Sequence, residues 1–195
     1  DRRAAFLADY EDQAYAARYR DTLSGLSRLP DELVRAAAVS LFRLMAIKDE
    51  YEVARLHTET GFENRLALEF EGSYEIHHHF APPMLPLGHD ARGRPKKRRF
   101  GPWMRPVLKR MAGMRRMRNT WADPFRFSAD RRQELETLRW YEGLLGEVRS
   151  RFSESNAEAW RAVLAAPQEI RGYGPVRAAA AKVVRASVEE RLGRM

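Results

Sequence analysis

The feature that most constrains the fold of this chain is a segment that is apolar on almost every side. Between Ala36 and Ile47 only Ser40 and Arg43 are polar, so a helix over these residues has no face suited to water. Such a helix must be buried, and amphipathic elements must surround it. The segment therefore predicts a globular, helical core.

The neighbouring segments predict the surrounding helices. Apolar residues at helical spacing predict a surface helix from Arg2 to about Leu23, and Asp31 is placed to cap the buried helix. We expect the buried helix to continue as an amphipathic one through Lys48–Leu56 and to stop at Gly61. The same spacing predicts further helices over Trp103–Arg118, Ser128–Phe152, Asn156–Ala165 and from Val176 onward.

The middle of the chain has a different pattern. Tyr74–Phe80 is rich in aromatic and branched residues, Asp90–Gly93 is a turn signal, and Lys96–Phe100 is suited to a returning strand. We predict a β-hairpin with a long loop within residues 73–101. The fold class predicted for residues 1–195 is mainly α with a small inserted β-hairpin (α+β), in a single domain.

The composition excludes several kinds of chemistry. The 195 residues contain no cysteine, so the chain itself offers no disulfide, no thiolate for an iron–sulfur cluster and no thiol nucleophile. This usage is compatible with the cytoplasm, which is the predicted location. No stretch approaches the roughly 20 apolar residues of a membrane span, so we predict no membrane association.

Positive charge is concentrated in one stretch. Residues 91–122 contain twelve Lys or Arg and no Asp or Glu, within a chain of net charge +8. We predict a partner-binding surface that includes nine of them: Lys96, Lys97, Arg98, Arg99, Arg105, Lys109, Arg110, Arg115 and Arg116. The partner could be an acidic protein, an acidic surface of the same polypeptide or its dimer mate, or nucleic acid. Few aromatic residues and no nucleic-acid motif accompany the charges, so nucleic acid is the least favoured of these.

A run of histidines lies in the predicted first strand. Strand alternation would place His77 and His79 on one face, where they could bind a metal with help from His89. No acidic residue lies close enough in sequence to complete an obvious ligand set. Packing and hydrogen bonding is the alternative interpretation.

The remaining polar motifs do not define a catalytic site. Gly172-Tyr173-Gly174 could hold a phosphate at a helix N-terminus, but it lacks the dinucleotide pattern, and a simple turn into the helix is favoured. Asp123 and Asp130 have arginines nearby, which predicts surface salt bridges. No serine stands in a nucleophile elbow and no P-loop is present.

A series of short blocks resembles one known family. The segment Lys48–Leu56 (KDEYEVARL) resembles a signature of the C-terminal part of fused, single-chain indolepyruvate ferredoxin oxidoreductases. Further blocks resemble the family in the same order: Phe70–Gly72, His79–Pro83, Phe100–Met104, Asp123–Phe125 and Ile170–Val176. Asn119 departs from the pattern, because a glycine is more usual before the threonine, and His78 and Phe80 depart from it as well. The start at Asp1 rather than Met also suggests a fragment.

The resemblance implies a parent enzyme whose redox machinery lies in other domains. Such enzymes oxidatively decarboxylate aryl-2-oxoacids to acyl-CoA and reduce ferredoxin, with thiamine diphosphate, magnesium and iron–sulfur clusters as cofactors and CoA as a substrate. The resemblance implies that these groups belong to upstream domains, and that this segment holds no cofactor and no catalytic residue. The implied partners are the remaining domains of the same polypeptide, ferredoxin, and further copies in a homo-oligomer.

Three functional hypotheses follow. The leading one is a structural or docking domain whose basic stretch helps to attract acidic ferredoxin. The second is a ligand-binding module for CoA phosphates or for a metal near His77 and His79. The third is an independent nucleic-acid-binding protein that acts through the basic stretch.

Overall fold

The computed structural model of the chain describes residues 2–81, 88 and 96–195. Within these residues the helices are α1 (Arg2–Tyr10), α2 (Gln13–Ser24), α3 (Asp31–Met45), α4 (Glu50–Thr58), α5 (Phe62–Glu69), α6 (Met104–Gly113), α7 (Ala129–Arg151), α8 (Ala157–Ala165) and α9 (Gly174–Gly193). Short 3₁₀ turns cover Arg115–Met117, Glu154–Asn156 and Ala166–Glu169. The strands β1 (His78–Phe80) and β2 (Arg98–Phe100) pair antiparallel, with His79 opposite Arg99. The prediction of a mainly α fold with a small β-hairpin is confirmed.

The chain divides into two compact units. The terminal unit consists of Asp1–Ile47 and Ala129–Met195, and the middle unit consists of Lys48–Ser128. The predicted hairpin region, 73–101, lies within the middle unit. That residues 1–195 act as one domain stays a prediction.

The core of the terminal unit is built around α3. Leu33, Ala37 and Leu41 of α3 are fully buried, and the helix packs against α7 and α8. Trp160 of α8 is also fully buried in this cluster. The hydroxyl of Tyr141 donates to the carbonyl oxygen of Leu164 at 2.8 Å, which ties α7 to α8. The prediction that the apolar segment forms a buried, central helix is confirmed for residues up to Met45.

The first predicted helix is in fact two helices. A break at Glu11 and Asp12 separates α1 from α2, and the Asp12 carboxylate accepts a hydrogen bond from the backbone N–H of Tyr15 at 2.8 Å. A carboxylate in this position caps a new helix. The periodic apolar pattern continues across the break, because Tyr10 and Ala16 are both buried. Apolar spacing alone therefore concealed the break.

The predicted boundaries of α3 and α4 are also corrected. Pro30 occupies the cap position of α3, and Asp31 is its first helical residue rather than its cap. The helix ends at Met45 and does not continue through Lys48–Leu56, because Asp49 caps a separate α4. Gly61 does not end that helix. It precedes α5 with a backbone φ of 67°, a left-handed conformation that glycine adopts readily.

The middle unit has a small core of its own. Ala54 of α4 packs against Met104, Leu108 and Ala112 of α6, and all four are buried. Phe80 and Phe100, one from each strand, pack against this cluster. The predicted helix Trp103–Arg118 is shorter than expected, because α6 ends at Gly113 and a 3₁₀ turn follows.

The predicted strands are shorter than expected. Only the last three residues of Tyr74–Phe80 and of Lys96–Phe100 are paired. The predicted turn, Asp90–Gly93, and His89 lie outside the described residues. Across the described residues, no helix is long and apolar enough to cross a membrane.

Candidate functional site

An ion pair inside the middle unit joins α4 to the end of the basic stretch. Arg118 Nε donates to Asp49 Oδ2 at 2.6 Å and Nη2 donates to Asp49 Oδ1 at 3.1 Å, with both side chains almost fully buried. Asp49 Oδ1 also accepts the backbone N–H of Glu52 at 2.8 Å. One carboxylate therefore caps α4 and neutralises an arginine. Arg118, one of the twelve basic residues counted in residues 91–122, is consequently an internal cation.

The turn that follows Arg118 is held by a second buried carboxylate. Asp123 accepts hydrogen bonds from the hydroxyl of Tyr51 at 2.9 Å and from the backbone N–H groups of Asn119 at 2.8 Å and Phe125 at 3.0 Å. Its exposed fraction is 1%, so the predicted surface salt bridge at Asp123 is wrong. The carboxylate instead organises a turn in which Asn119 adopts a φ of 62°.

The exposed part of the basic stretch forms the candidate site, which we name the basic surface. It comprises residues that are exposed on β2, on the segment before it, on α6 and on the following turn: Lys96, Lys97, Arg98, Arg99, Arg105, Lys109, Arg110 and Arg116. Arg115 differs from them, because its guanidinium pairs with Glu59 at 3.2 Å and is partly buried. The acidic partners of Arg115 and Arg118 are Glu59 and Asp49, which flank α4. A charge count within residues 91–122 could not include them. Arg92 and Arg94 lie outside the described residues.

Apolar side chains are interspersed with these charges. Trp103 is 61% exposed and Val107, one helical turn later, is 42% exposed. A shallow groove of about 530 Å³ on α6 is lined by Pro106, Val107, Lys109 and Arg110. The other face of α6 carries Met104 and Leu108 into the core. The outward face of the helix therefore offers both positive charge and apolar contact area to a partner.

The histidine run is divided among different environments. His77 precedes β1, and its Nε2 lies 3.1 Å from Glu75 Oε2. His79 is exposed, whereas His78 is 8% exposed. The paired strand begins at His78, so His77, which was predicted to share a strand face with His79, lies just before the strand. In the described residues, no group of three or more His, Cys, Asp or Glu side chains is arranged to hold a metal ion.

A histidine that the sequence did not single out lies beside this run. The ring of His57 on α4 is 5.1 Å from that of His78, 5.9 Å from Phe62 and 5.6 Å from Phe80, measured between centroids. Burial in this aromatic cluster lowers the pKa of His57, and the positive charge of Lys48 lowers it further. His57 and His78 are 21 positions apart in the chain, so no local pattern could connect them.

An open pocket lies next to the aromatic cluster. It has a volume of about 410 Å³ and is lined by Tyr74, Glu75, Ile76, His78, Pro102 and Arg105. Its wall includes both a carboxylate and a guanidinium. Arg105 suits an anionic group, while Glu75 would oppose a polyphosphate at close range. The pocket therefore gives limited support to the CoA hypothesis.

The glycines before α9 form a turn. Gly172 and Gly174 have φ values of 97° and 52°. A Cβ on Gly174 would lie 3.7 Å from Asp130 Oδ2, so a carboxylate already faces the start of this helix. This arrangement agrees with a turn into the helix and leaves little reason to expect a phosphate there.

These features define a mainly helical protein with a small antiparallel sheet, a buried ion pair and an exposed basic surface. The chain belongs to a family of unknown function (DUF6537), whose model matches residues 1–190. No curated protein matches the chain. No solved structure matches it either.

Proposed function

We propose that the chain is a non-catalytic docking domain, the C-terminal part of a fused 2-oxoacid:ferredoxin oxidoreductase of the indolepyruvate type. The observation that carries the docking role is the basic surface, with eight exposed Lys or Arg side chains in the same stretch of chain as the exposed Trp103 and Val107. The parentage is supported by the ordered sequence blocks from Lys48 to Val176. The partner proposed for the surface is an acidic ferredoxin.

The positive charge of the basic surface attracts an acidic protein over a long distance. It raises the rate at which an oppositely charged protein arrives, by about 10- to 1,000-fold at low ionic strength. Interfaces of transient redox complexes are small, below about 1,200 Å². A helix face with Trp103 and Val107 among positive charges suits such a contact, since it supplies attraction over distance and some apolar area on contact.

The redox chemistry of the proposed parent requires other domains. The cofactors supply carbanion stabilisation and electron transfer when bound. The residues present do not fit an iron–sulfur cluster, because this chain has no cysteine to ligate one. Its own residues would contribute the docking surface and the fold that supports it.

The test reverses charge on exposed residues that are not needed for folding. In the full-length enzyme, Lys109→Glu, Arg110→Glu and Arg116→Glu are combined, because all three side chains are exposed. We expect the KM for ferredoxin to rise about tenfold or more at low salt, with kcat unchanged and a weaker salt dependence. The matched control combines Arg20→Glu, Arg28→Glu and Arg139→Glu, which change the same charge at exposed positions of the terminal unit.

Other outcomes would reject specific parts of the proposal. If the KM for ferredoxin and its salt dependence stay unchanged, or change equally in the control, the docking role is wrong. If the full-length protein does not reduce ferredoxin with any aryl-2-oxoacid and CoA, the parentage is wrong.

A salt-sensitive gel shift of DNA or RNA by the wild-type chain at micromolar concentration would favour the nucleic-acid hypothesis instead. Heat on titration with CoA or zinc would favour the ligand-binding hypothesis.

A further inference from the structure

The last helix, α9, is apolar on two faces. One face is buried in the core of the terminal unit through Ala181, Val184 and Val188. On the outward face, Val176 and Val183 are 67% and 69% exposed. Exposed alanines lie between and after them. We name this set the outer stripe: Val176, Ala179, Val183 and Ala186.

The outer stripe has the spacing of a helix-pairing seam. Its members follow one another at intervals of three, four and three residues, which is the a and d pattern of a coiled coil. A single helix on the surface of a domain normally presents polar residues on this face. A continuous exposed apolar stripe indicates an interaction surface.

The edges of the stripe are also patterned. Lys182 and Glu189, both exposed, border it on one edge and are separated by seven residues. They lie about 10 Å apart along the helix axis at 1.5 Å per residue, which is too far for a direct pair within one helix. Small side chains, Ala180 and Ser187, border the other edge. One edge therefore has two opposite charges and the other leaves room for a close neighbour.

We propose that α9 pairs antiparallel with α9 of a second copy of this chain. In the register that places Val183 against Ala186 of the second copy, Lys182 comes opposite Glu189 of the second copy. Two-fold symmetry repeats both contacts, so each dimer has two such ion pairs. A parallel pair would instead place Lys182 beside Ser187 and would form no ion pair across the seam. The positions of Lys182 and Glu189 therefore favour a second copy of this chain as the partner, and they favour antiparallel over parallel pairing.

The expected association is weak. The stripe consists of valine and alanine over about three helical turns, so the buried area falls below the roughly 1,200 Å² of a standard interface. We expect a dissociation constant of about 1–100 μM. The proposal does not depend on the docking role of the basic surface, since α9 belongs to the terminal unit and the basic surface to the middle unit.

The first experiment is sedimentation equilibrium of the 195-residue chain over a concentration series. We expect wild type to form dimers and Val183→Glu to remain monomeric. Because Val183 points outward, the variant should keep the wild-type melting curve by circular dichroism. The matched control is Leu68→Glu, a change from an apolar to an acidic side chain at a position that is 89% exposed in the middle unit, and it should dimerise like wild type. A wild-type chain that stays monomeric up to about 500 μM, well above the expected range, would overturn the proposal.

The second experiment tests the direction of pairing. Lys182→Glu and Glu189→Lys should each weaken dimerisation about tenfold, because two attractive pairs become repulsive, and the double variant should recover wild-type affinity. Since the chain has no cysteine, single cysteines report contact directly. An equal mixture of Val183→Cys and Ala186→Cys chains should form disulfide-linked dimers on mild oxidation, and each variant alone should form few. No recovery in the double variant, or equal cross-linking of each variant alone, would contradict antiparallel pairing.

Discussion

Arg118 and Asp49 form a bidentate ion pair in which both side chains are removed from water. The two hydrogen bonds measure 2.6 Å and 3.1 Å, and the exposed fractions of the side chains are 2% and 4%. The planar guanidinium matches the two carboxylate oxygens. The pair joins the start of α4 to the turn after α6, so it supports the two helices that form the core of the middle unit.

We predict that breaking this pair destabilises the middle unit. Arg118→Ala leaves the Asp49 carboxylate buried without its main cation and should lower the free energy of unfolding by about 3–5 kcal/mol. Asp49→Ala also removes the cap of α4 and should cost at least as much. The double variant Asp49→Leu with Arg118→Met should be less destabilised than either single variant, since no buried charge is left alone. Hydrogen exchange of the α4 amides, compared with that of α3, measures the effect in each unit. Equal protection of α4 in wild type and Arg118→Ala would contradict the prediction.

The left-handed residue in the following turn gives a second prediction. Asn119 has a φ of 62°, and its backbone N–H donates to Asp123. Glycine adopts this conformation without strain, so Asn119→Gly should change the free energy of unfolding by less than about 0.5 kcal/mol. Asn119→Val should destabilise the unit by about 1–2 kcal/mol, because a branched side chain disfavours this region. Urea titrations of the two variants check the order, and a valine variant as stable as the glycine variant would contradict it.

Local sequence patterns predicted the helices of this chain better than they predicted its ion pairs. The apolar segment Ala36–Ile47 correctly predicted a buried helix at α3, and the apolar spacing correctly predicted a helix at α6. The charge count over residues 91–122 did not show that Arg118 and Arg115 are paired, because their counter-charges, Asp49 and Glu59, lie 69 and 56 residues earlier in the chain. A count within one stretch cannot detect partners brought there by folding.

The sequence prediction missed the starts of α2 and α4 for a different reason. Asp12 and Asp49 each accept the N–H three residues later, which is a local signal that sequence can contain. The apolar spacing runs across both positions, and it was given more weight than the caps. The hairpin was recognised from its aromatic and branched residues, but only three residue pairs form. Phe80 and Phe100 of these pairs pack against α4 and α6.

The aromatic cluster predicts a dependence of stability on pH. Burial and Lys48 lower the pKa of His57 from its ordinary value of 6.5, so the unfolded chain binds a proton more readily than the folded one. The contribution of His57 to stability is complete above pH 6.5 and is lost as pH falls from there through the lower pKa of the folded state. We expect the stability of wild type to fall more steeply between pH 7.5 and pH 5.5 than that of His57→Gln.

The control for this prediction is His79→Gln, because His79 is exposed. It should retain the slope of wild type. Urea midpoints at a series of pH values, with protection of α4 amides as the local readout, distinguish the two variants. If His57→Gln and wild type lose stability in parallel, titration of His57 does not contribute.

Two glycines of the terminal unit give a matched pair of opposite predictions. Gly172 has a φ of 97°, and a Cβ on it would lie 2.8 Å from Cγ1 of Val176. Gly172→Ala should therefore destabilise the start of α9 by about 1–3 kcal/mol, through both backbone strain and a clash with a branched side chain. Gly143 lies in the interior of α7, where a Cβ would meet nothing within 4 Å. Gly143→Ala should stabilise the unit by about 0.5–1 kcal/mol, since alanine favours the helix. Thermal melts of the two variants should shift in opposite directions from wild type. A melting temperature of Gly172→Ala at or above that of wild type would show that the backbone at Gly172 tolerates a side chain, and a decrease for Gly143→Ala would contradict the second prediction.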